Sequence, residues 1–187
     1  MRIEKVTIED ALELLSIYEP YVRDTAITFE YDVPTLEEFQ SRIINISLKY
    51  PYIKAVDNGE LLGYAYANAF KDRKAYDWSV ETTVYVKQGR HRMGIGKSLY
   101  NELEKSLKNM GILNMNACIA VPVKEDYHLT DVSYRFHKNL GFTLVGRFHN
   151  SGYKFNTWYD MIWMEKMLGE HNDFPSDVQF GKWTDVK

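Results

Sequence analysis

The chemistry-bearing run of this chain is Lys-Gln-Gly-Arg-His-Arg-Met-Gly-Ile-Gly-Lys, residues 87–97, which follows a strand-like Glu-Thr-Thr-Val-Tyr-Val and precedes an amphipathic helix. A helix N-terminus carries unpaired backbone N–H groups and the positive end of the peptide dipole, so this turn is an anion cradle. Gly94 and Gly96 would let the backbone approach a bulky diphosphate with no Cβ between them, and Arg90, Arg92 and Lys97 add positive charge. The chemistry implied is the binding of a phosphorylated cofactor. Two familiar phosphate motifs nearly fit and fail. Gly96-Lys97-Ser98 imitates the end of a nucleotide P-loop, but His91 stands where its first glycine belongs, and counting from Gly89 puts Ile95 in the lysine position. Gly94-Ile95-Gly96 starts a dinucleotide fingerprint whose third glycine is here Leu99.

The elements that position the cradle follow from hydrophobic spacing. Arg2 to Ile8 suits a first strand, and Thr7 with Asp10 can cap a helix carrying Ala11, Leu14, Leu15 and Tyr18 before Pro20 disturbs it. A capping box, Thr35 with Glu38, opens a second helix with Leu36, Phe39, Ile43 and Ile46 on one stripe. Tyr52 to Val56 and Leu61 to Phe70 flank Asp57-Asn58-Gly59 and read as a hairpin. Trp78 to Val86 alternates, with Val80, Thr82, Val84 and Val86 on one face and Glu81, Thr83 and Tyr85 on the other. Ile95, Leu99, Leu103 and Leu107 then mark a helix that Gly111 can end, and Leu113 to Ala120 returns as a parallel strand. A polar loop, Pro122 to Thr130, leads to a short helix near Val132 to Leu140, and Phe142 to His149 and Thr157 to Met167 are the last strands. The pattern predicts an α/β chain, a mixed sheet covered by helices, with a domain over residues 1–168 and an extension of unknown role over 169–187. In that extension Phe174, Phe180 and Trp183 can pack on the domain.

Composition limits the function classes. The 187 residues carry a net charge of −3, which argues against a general nucleic-acid or anionic-membrane binder. Cys118 is the single cysteine, so no internal disulfide or cysteine-rich zinc site forms, and its apolar strand suggests a buried structural thiol. The N-terminus has no export-type apolar region and no run is long enough to span a bilayer, so the expected setting is cytoplasmic. His128, His149 and His171 lack metal spacing, and no metal is expected.

What remains resembles the pyrophosphate loop of the Gcn5-related N-acetyltransferases (GNAT), here His91-Arg92-Met93-Gly94-Ile95-Gly96, with His91 departing from the usual Gln or Arg. The resemblance tightens toward the phosphinothricin N-acetyltransferase branch in residues 75–86, Ala-Tyr-Asp-Trp-Ser-Val-Glu-Thr-Thr-Val-Tyr-Val, and in 136–142, Phe-His-Lys-Asn-Leu-Gly-Phe. Gly152-Tyr153-Lys154, Trp158 and Asp160 echo the same branch. It implies a single-domain fold with a mixed, mostly antiparallel sheet, and acetyl-CoA as co-substrate. Val84, Tyr85 and Val86 would pair with its pantetheine arm, residues 91–97, Lys97 included, would wrap its pyrophosphate, and Asp131 and Ser133 would border it. The departures are a longer loop at Lys124 to Thr130 and no asparagine at the start of the following helix.

An amine attacks a thioester only as the free base, so the site must take its proton, stabilise the oxygen and help the thiolate leave. Glu81 is the candidate base, directly or through a water. His137, where many relatives carry a tyrosine, is the second candidate, as acid or base. The family segments that border the amine hold Phe29, Tyr31, Arg73, Tyr76, Lys154 and Trp158, of which Arg73 could grip a carboxylate bidentately. The implied activity is direct acetyl transfer to the α-amine of a small amino-acid-like compound, of the phosphinothricin or methionine sulfoximine type. Another amine acceptor, and a noncatalytic CoA-binding module, remain the alternatives. Family habit alone suggests a homodimer paired through a sheet edge.

Overall fold

Alternating apolar residues make seven strands, and helical stripes make four helices, in the computed structural model, which describes residues 1–183. The strands are β1 (Arg2–Lys5), β2 (Tyr52–Asp57), β3 (Glu60–Ala69), β4 (Ser79–Val86), β5 (Asn114–Val121), β6 (Thr143–Lys154) and β7 (Thr157–Met167). The helices are α1 (Ala11–Asp24), α2 (Leu36–Ser47), α3 (Ile95–Met110) and α4 (Val132–Asn139). One sheet in the order β1-β2-β3-β4-β5-β7-β6 contains them all, and only the β4–β5 pair among the described residues is parallel.

Several local signals act as their chemistry dictates. The Thr35 hydroxyl accepts the Glu38 N–H and the Glu38 carboxylate accepts the Thr35 N–H, which starts α2. Asn58 and Gly59 take φ of 49° and 81°, which turns β2 tightly into β3. Three boundaries differ from the sequence reading by more than one residue. β1 stops at Lys5 because the Thr7–Asp10 capping box opens a 3₁₀ turn, Ile8–Asp10, that feeds α1. α1 runs through Pro20 to Asp24, since Ile17, Tyr18, Tyr21 and Val22 stay buried around the missing N–H. β6 continues past His149 to Lys154 by way of a bulge, where buried Asp160 accepts the Asn150 N–H at 2.7 Å and Arg147 Nε at 2.6 Å.

The feature that positions the site is a fork. β4 and β5 pair only at Ser79/Asn114, Val80/Met115 and Glu81/Asn116, and then part. Thr82 Oγ1 donates to the Asn116 carbonyl and Asn116 Nδ2 to the Val80 carbonyl, both at 3.1 Å, bracing the fork where the ladder ends. On one face of β4, Thr82 meets Tyr100 of α3. On the other, Tyr85 packs against Tyr18 and Tyr21 of α1 and Tyr64 of β3.

Beyond β7 the chain packs back onto the base of the domain. The Gln179 N–H donates to the Met110 carbonyl, the Gly181 N–H to Lys49, and Trp78 Nε1 to Ser176. Phe180 meets Tyr50 edge-on at 5.5 Å, Lys5 Nζ lies 4.6 Å over the buried Trp183 ring, and Phe174 stays in solvent. Trp183→Ala is therefore expected to lower unfolding free energy by about 3 kcal/mol, as for other buried aromatic truncations, read from urea denaturation. An unchanged midpoint would show that Trp183 does not anchor the extension to the fold.

Candidate active site

The fork leaves two backbone edges facing one another. The Lys87 N–H donates to Leu62, so the antiparallel β3–β4 ladder spends the backbone groups of Tyr85, Thr83 and Glu81 on β3 and turns those of Thr82, Val84 and Val86 toward β5. The Leu168 N–H donates to Leu113, so Asn116, Cys118 and Ala120 likewise turn toward β4. Because pairing ends at Glu81/Asn116, the Thr82 C=O and the Cys118 N–H, the next partners of a parallel ladder, are not joined. Between the edges lies a cleft of about 320 Å³ that Glu81, Val84, Tyr85, Ser133, His137 and Phe29 all line.

Glu81 enters it from the α1 face, half-buried. Burial raises its carboxyl above the usual range, and Lys71 works against that rise. Cys118 corrects the expectation of a core thiol. Pairing Glu81 with Asn116 puts Cys118 on the Glu81 face, where its side chain is exposed to the cleft. The cleft walls withdraw the sulfur from bulk water, and that desolvation, with the Glu81 charge second and Lys71 opposing, pushes the thiol up to about 11, which keeps it protonated.

Tyr100 and His137 enter from the other face. His137 Nδ1 is 2.8 Å from the Ser133 carbonyl and therefore carries the proton, which leaves Nε2 to accept the Tyr100 O–H at 2.8 Å. The Tyr100 oxygen also lies 3.2 Å from Thr82 Oγ1. Burial drives His137 down to about 4 and raises the Tyr100 phenol well above its ordinary value. His137 is thus a buried neutral imidazole that cannot serve as an imidazolium acid near neutral pH. Tyr100 was missed in the sequence because it adjoins Leu99 on the apolar stripe. Its signal was a phenol in the core, which requires a polar partner.

The anion cradle opens at the far end of β4. Gly94 caps α3 in the left-handed conformation, φ 80°, and a Cβ built there would meet nothing within 4 Å, so a ligand could approach the first-turn N–H groups. Gly96 serves packing instead: its Cβ would lie 3.1 Å from the Phe136 ring. Ile95 is buried in the core, and Arg92 and Met93 are exposed on the turn. Arg90 and Lys87 both bind Glu60 at 2.8 Å, whereas Arg92 and Lys97 make no ion pair among the described residues. His91 turns inward, with Nε2 2.8 Å from the Tyr21 hydroxyl, which itself donates to the Val86 carbonyl at 2.6 Å. That bond occupies Val86 O and ties the turn to α1.

The residues expected around the acceptor divide. Phe29 lines the cleft. Lys154 does not bind there, because its ammonium is buried and donates to the carbonyls of Val22, Thr25 and Thr28 at 2.7, 2.9 and 2.9 Å, using all three of its protons. Tyr31 donates to the Tyr153 carbonyl, Trp158 lies tilted against Tyr153 at 4.9 Å, Tyr76 meets Phe70 edge-on, and Arg73 lies outside the cleft lining. Asp131 pairs with Arg135 of its own helix at 2.6 Å. The cation nearest in effect is Lys71, which acts on both Glu81 and Cys118 and rests over Phe70 and Trp163. Among the described residues there is no cluster that could hold a metal ion, and no helix is long and apolar enough to cross a membrane.

Comparison with known proteins places this geometry. The acetyltransferase (GNAT) domain model matches residues 3–163. The phosphinothricin N-acetyltransferase of Streptomyces coelicolor is 35% identical over 164 residues, covering 86% of this chain and 92% of that protein. The L-methionine sulfoximine/L-methionine sulfone acetyltransferase of Salmonella typhimurium is 30% identical over 124 residues, 66% of this chain and 68% of that one. Among solved structures, a GNAT superfamily phosphinothricin acetyltransferase from Sinorhizobium meliloti in complex with AcCoA superposes with a TM-score of 0.86 at 31% identity, covering 97% of this chain and 96% of that chain.

The state of His137 has a measurable consequence. Its folded pKa lies below that of an unfolded histidine, so as pH falls from 6.5 to about 4 the unfolded chain takes up the proton first and stability is lost. His137→Gln removes this term. The urea midpoint of the variant should therefore fall less across that window than the wild-type midpoint, and parallel curves would show that His137 is not held neutral.

Proposed function

The chain belongs to the GNAT acetyltransferase family, and on that premise we propose that it acetylates the α-amine of a small amino-acid-like acceptor, of the phosphinothricin or methionine sulfoximine type, using acetyl-CoA. The observation that carries the reading is a cleft through the sheet with a carboxylate of raised pKa, an unpaired strand N–H and a phenol around it, next to an anion cradle.

The bound thioester supplies the acetyl group. The first-turn N–H groups of α3, with Arg92 and Lys97, suit its diphosphate, and the backbone of Val84 suits the amides of its arm. Glu81 takes the proton of the incoming amine, directly or through one water, because a carboxylate whose charge is penalised by burial is a stronger base. The Cys118 N–H faces the cleft where negative charge would develop on the carbonyl oxygen. Tyr100 turns its single O–H from His137 Nε2, which accepts it in the resting site, to the departing sulfur. Direct transfer with both reactants bound is the reading, and the one thiol lining the cleft, Cys118, is held protonated. Neither Lys71 nor Arg73 lines the cleft, and Lys71 is assigned to the acceptor carboxylate because its charge is the one that acts on Glu81 and Cys118. A noncatalytic binder would need neither the raised Glu81 nor the Tyr100–His137 pair.

The rest of the reading is an N-acetyltransferase domain over residues 1–168 with an added extension, a cytoplasmic setting, and a homodimer. For the dimer, the support is that β6 is an outer strand of the sheet, with Leu144, Val145 and Phe148 exposed along it.

An amine panel with acetyl-CoA, followed by free thiol, tests the function: amino-acid-like acceptors should release thiol, and release with none would remove the enzyme reading. Glu81→Gln should lower turnover by roughly 10² to 10⁴ while acetyl-CoA still binds calorimetrically. Wild-type turnover in that variant would sink the base assignment. Lys71→Ala should raise the acceptor KM by about tenfold or more for a carboxylate-bearing amine, and by less for its carboxamide. Equal losses on both acceptors would mean that Lys71 does not hold the carboxylate.

A further inference from the structure

Three consecutive residues of β6, Gly152, Tyr153 and Lys154, all grip the segment that leaves α1 and runs to Tyr31. A Cβ built on Gly152 would lie 2.2 Å from Phe29 Cε2 and 2.3 Å from Cζ, so the ring sits where any larger residue would have to displace it. The Phe29 ring continues toward Tyr159 at 6.5 Å. The Tyr153 carbonyl accepts the Tyr31 O–H. The Lys154 ammonium gathers the Val22, Thr25 and Thr28 carbonyls. Val22 belongs to the last turn of α1, where carbonyls lack helical donors: the Ala26 N–H, which would have continued the ladder, goes instead to His128. A buried cation at that negative helix end is favourable, and the same cation fixes the turn that follows. Thr28 is held a second time, through its hydroxyl, by Tyr18 at 2.9 Å.

The gripped segment has one evident use. Ile27, Thr28 and Phe29 form a wall of the cleft, joined by Ser151 from the residue before Gly152. Tyr159 and Met161, against which this wall is set, alternate onto the face shared by Ala120, Cys118 and Glu81. We infer that Gly152 and Lys154 are positioning residues for acceptor specificity: without touching the acceptor, they set where Phe29 stands and so set the shape of the acceptor wall. The inference rests on the acetyltransferase reading above. It also gives the motif Gly152-Tyr153-Lys154 a physical meaning, a receptor for the chain's own 22–31 segment in place of a binder of substrate.

A double-mutant cycle with two independent readouts tests it. Gly152→Ala should raise the acceptor KM by about tenfold or more, while kcat and the KM for acetyl-CoA change by less than about threefold. In a Phe29→Ala background the same change should add less than about twofold, because the clashing ring is gone. Equal penalties in both backgrounds, or a KM for acetyl-CoA that rises in step, would overturn the inference. Lys154→Met, which keeps length without the three donors, guards against a Gly152→Ala protein that fails to fold. It should show the same KM split, and amide hydrogen exchange should rise at residues 25–29 while α2 is unchanged, a measurement that needs no acceptor. Unchanged exchange at 25–29 would overturn the proposal. Failure of the underlying reading looks different: the wild-type protein would release no thiol with any amine.

Discussion

The separation of β4 from β5 after Glu81/Asn116 is the constraint on which the rest depends. Strand edges inside a sheet normally pair, since a buried N–H or C=O without a partner costs free energy. Here the first step of that cost is absorbed by side chains: Thr82 and Asn116 supply bonds across the fork. Beyond it, Tyr100 of α3 fills one face and the tyrosines of α1 support the other. The fork makes the cleft pass through the sheet instead of lying upon it. Adjacent residues then face opposite sides, so Glu81 looks toward one mouth and Thr82, with Tyr100 behind it, toward the other.

Burial sets the protonation states in this cleft. A low-dielectric wall disfavours charge, and it therefore raises Glu81 and Tyr100 and lowers His137. These three groups divide by chemistry. Glu81, raised by burial with Lys71 opposing the rise, is the carboxylate among them and the proton acceptor, while His137 and Tyr100 are held uncharged and contribute dipoles. Among the described residues, Lys71, whose charge acts on Glu81, and Arg92 and Lys97 at the α3 end make no ion pair. Such a distribution lets anions be held at two ends of a cleft whose middle carries little fixed charge.

Much of this was legible where the signal is local. Strand, glycine turn and helix occupy contiguous residues 79–110, so the cradle, the orientation of Glu81 and the parallel return could be read from spacing alone. The capping box and the Asn58-Gly59 turn were equally local. What escaped depends on residues distant in sequence. Nothing in Leu113 to Ala120 says that its partner strand turns away, so Cys118 reads as core when it faces the cleft. Lys154 reads as a residue bordering the acceptor because its three carbonyl partners lie more than 120 residues earlier. His137 reads as an acid or base with its charge state open, and the burial that holds it neutral depends on Tyr100, Phe136 and Phe142 closing around it. Gly96 was read as room for a phosphate, and it is room for Phe136.

Because the two mouths of the cleft are built from different stretches of chain, they are free to diverge separately. The cradle side draws on the end of β4 and the start of α3, whose glycines are fixed by backbone angle and by Phe136. The opposite wall draws on the segment after α1 and on the β6–β7 hairpin, which meet only through side chains and carbonyls. A substitution that reshapes that wall leaves the cradle's backbone untouched. Selection for a new amine can therefore proceed by paired changes, one in residues 27–31 and one in 151–154, at no loss of grip on the donor, which makes this corner of the fold a unit of evolutionary change in its own right.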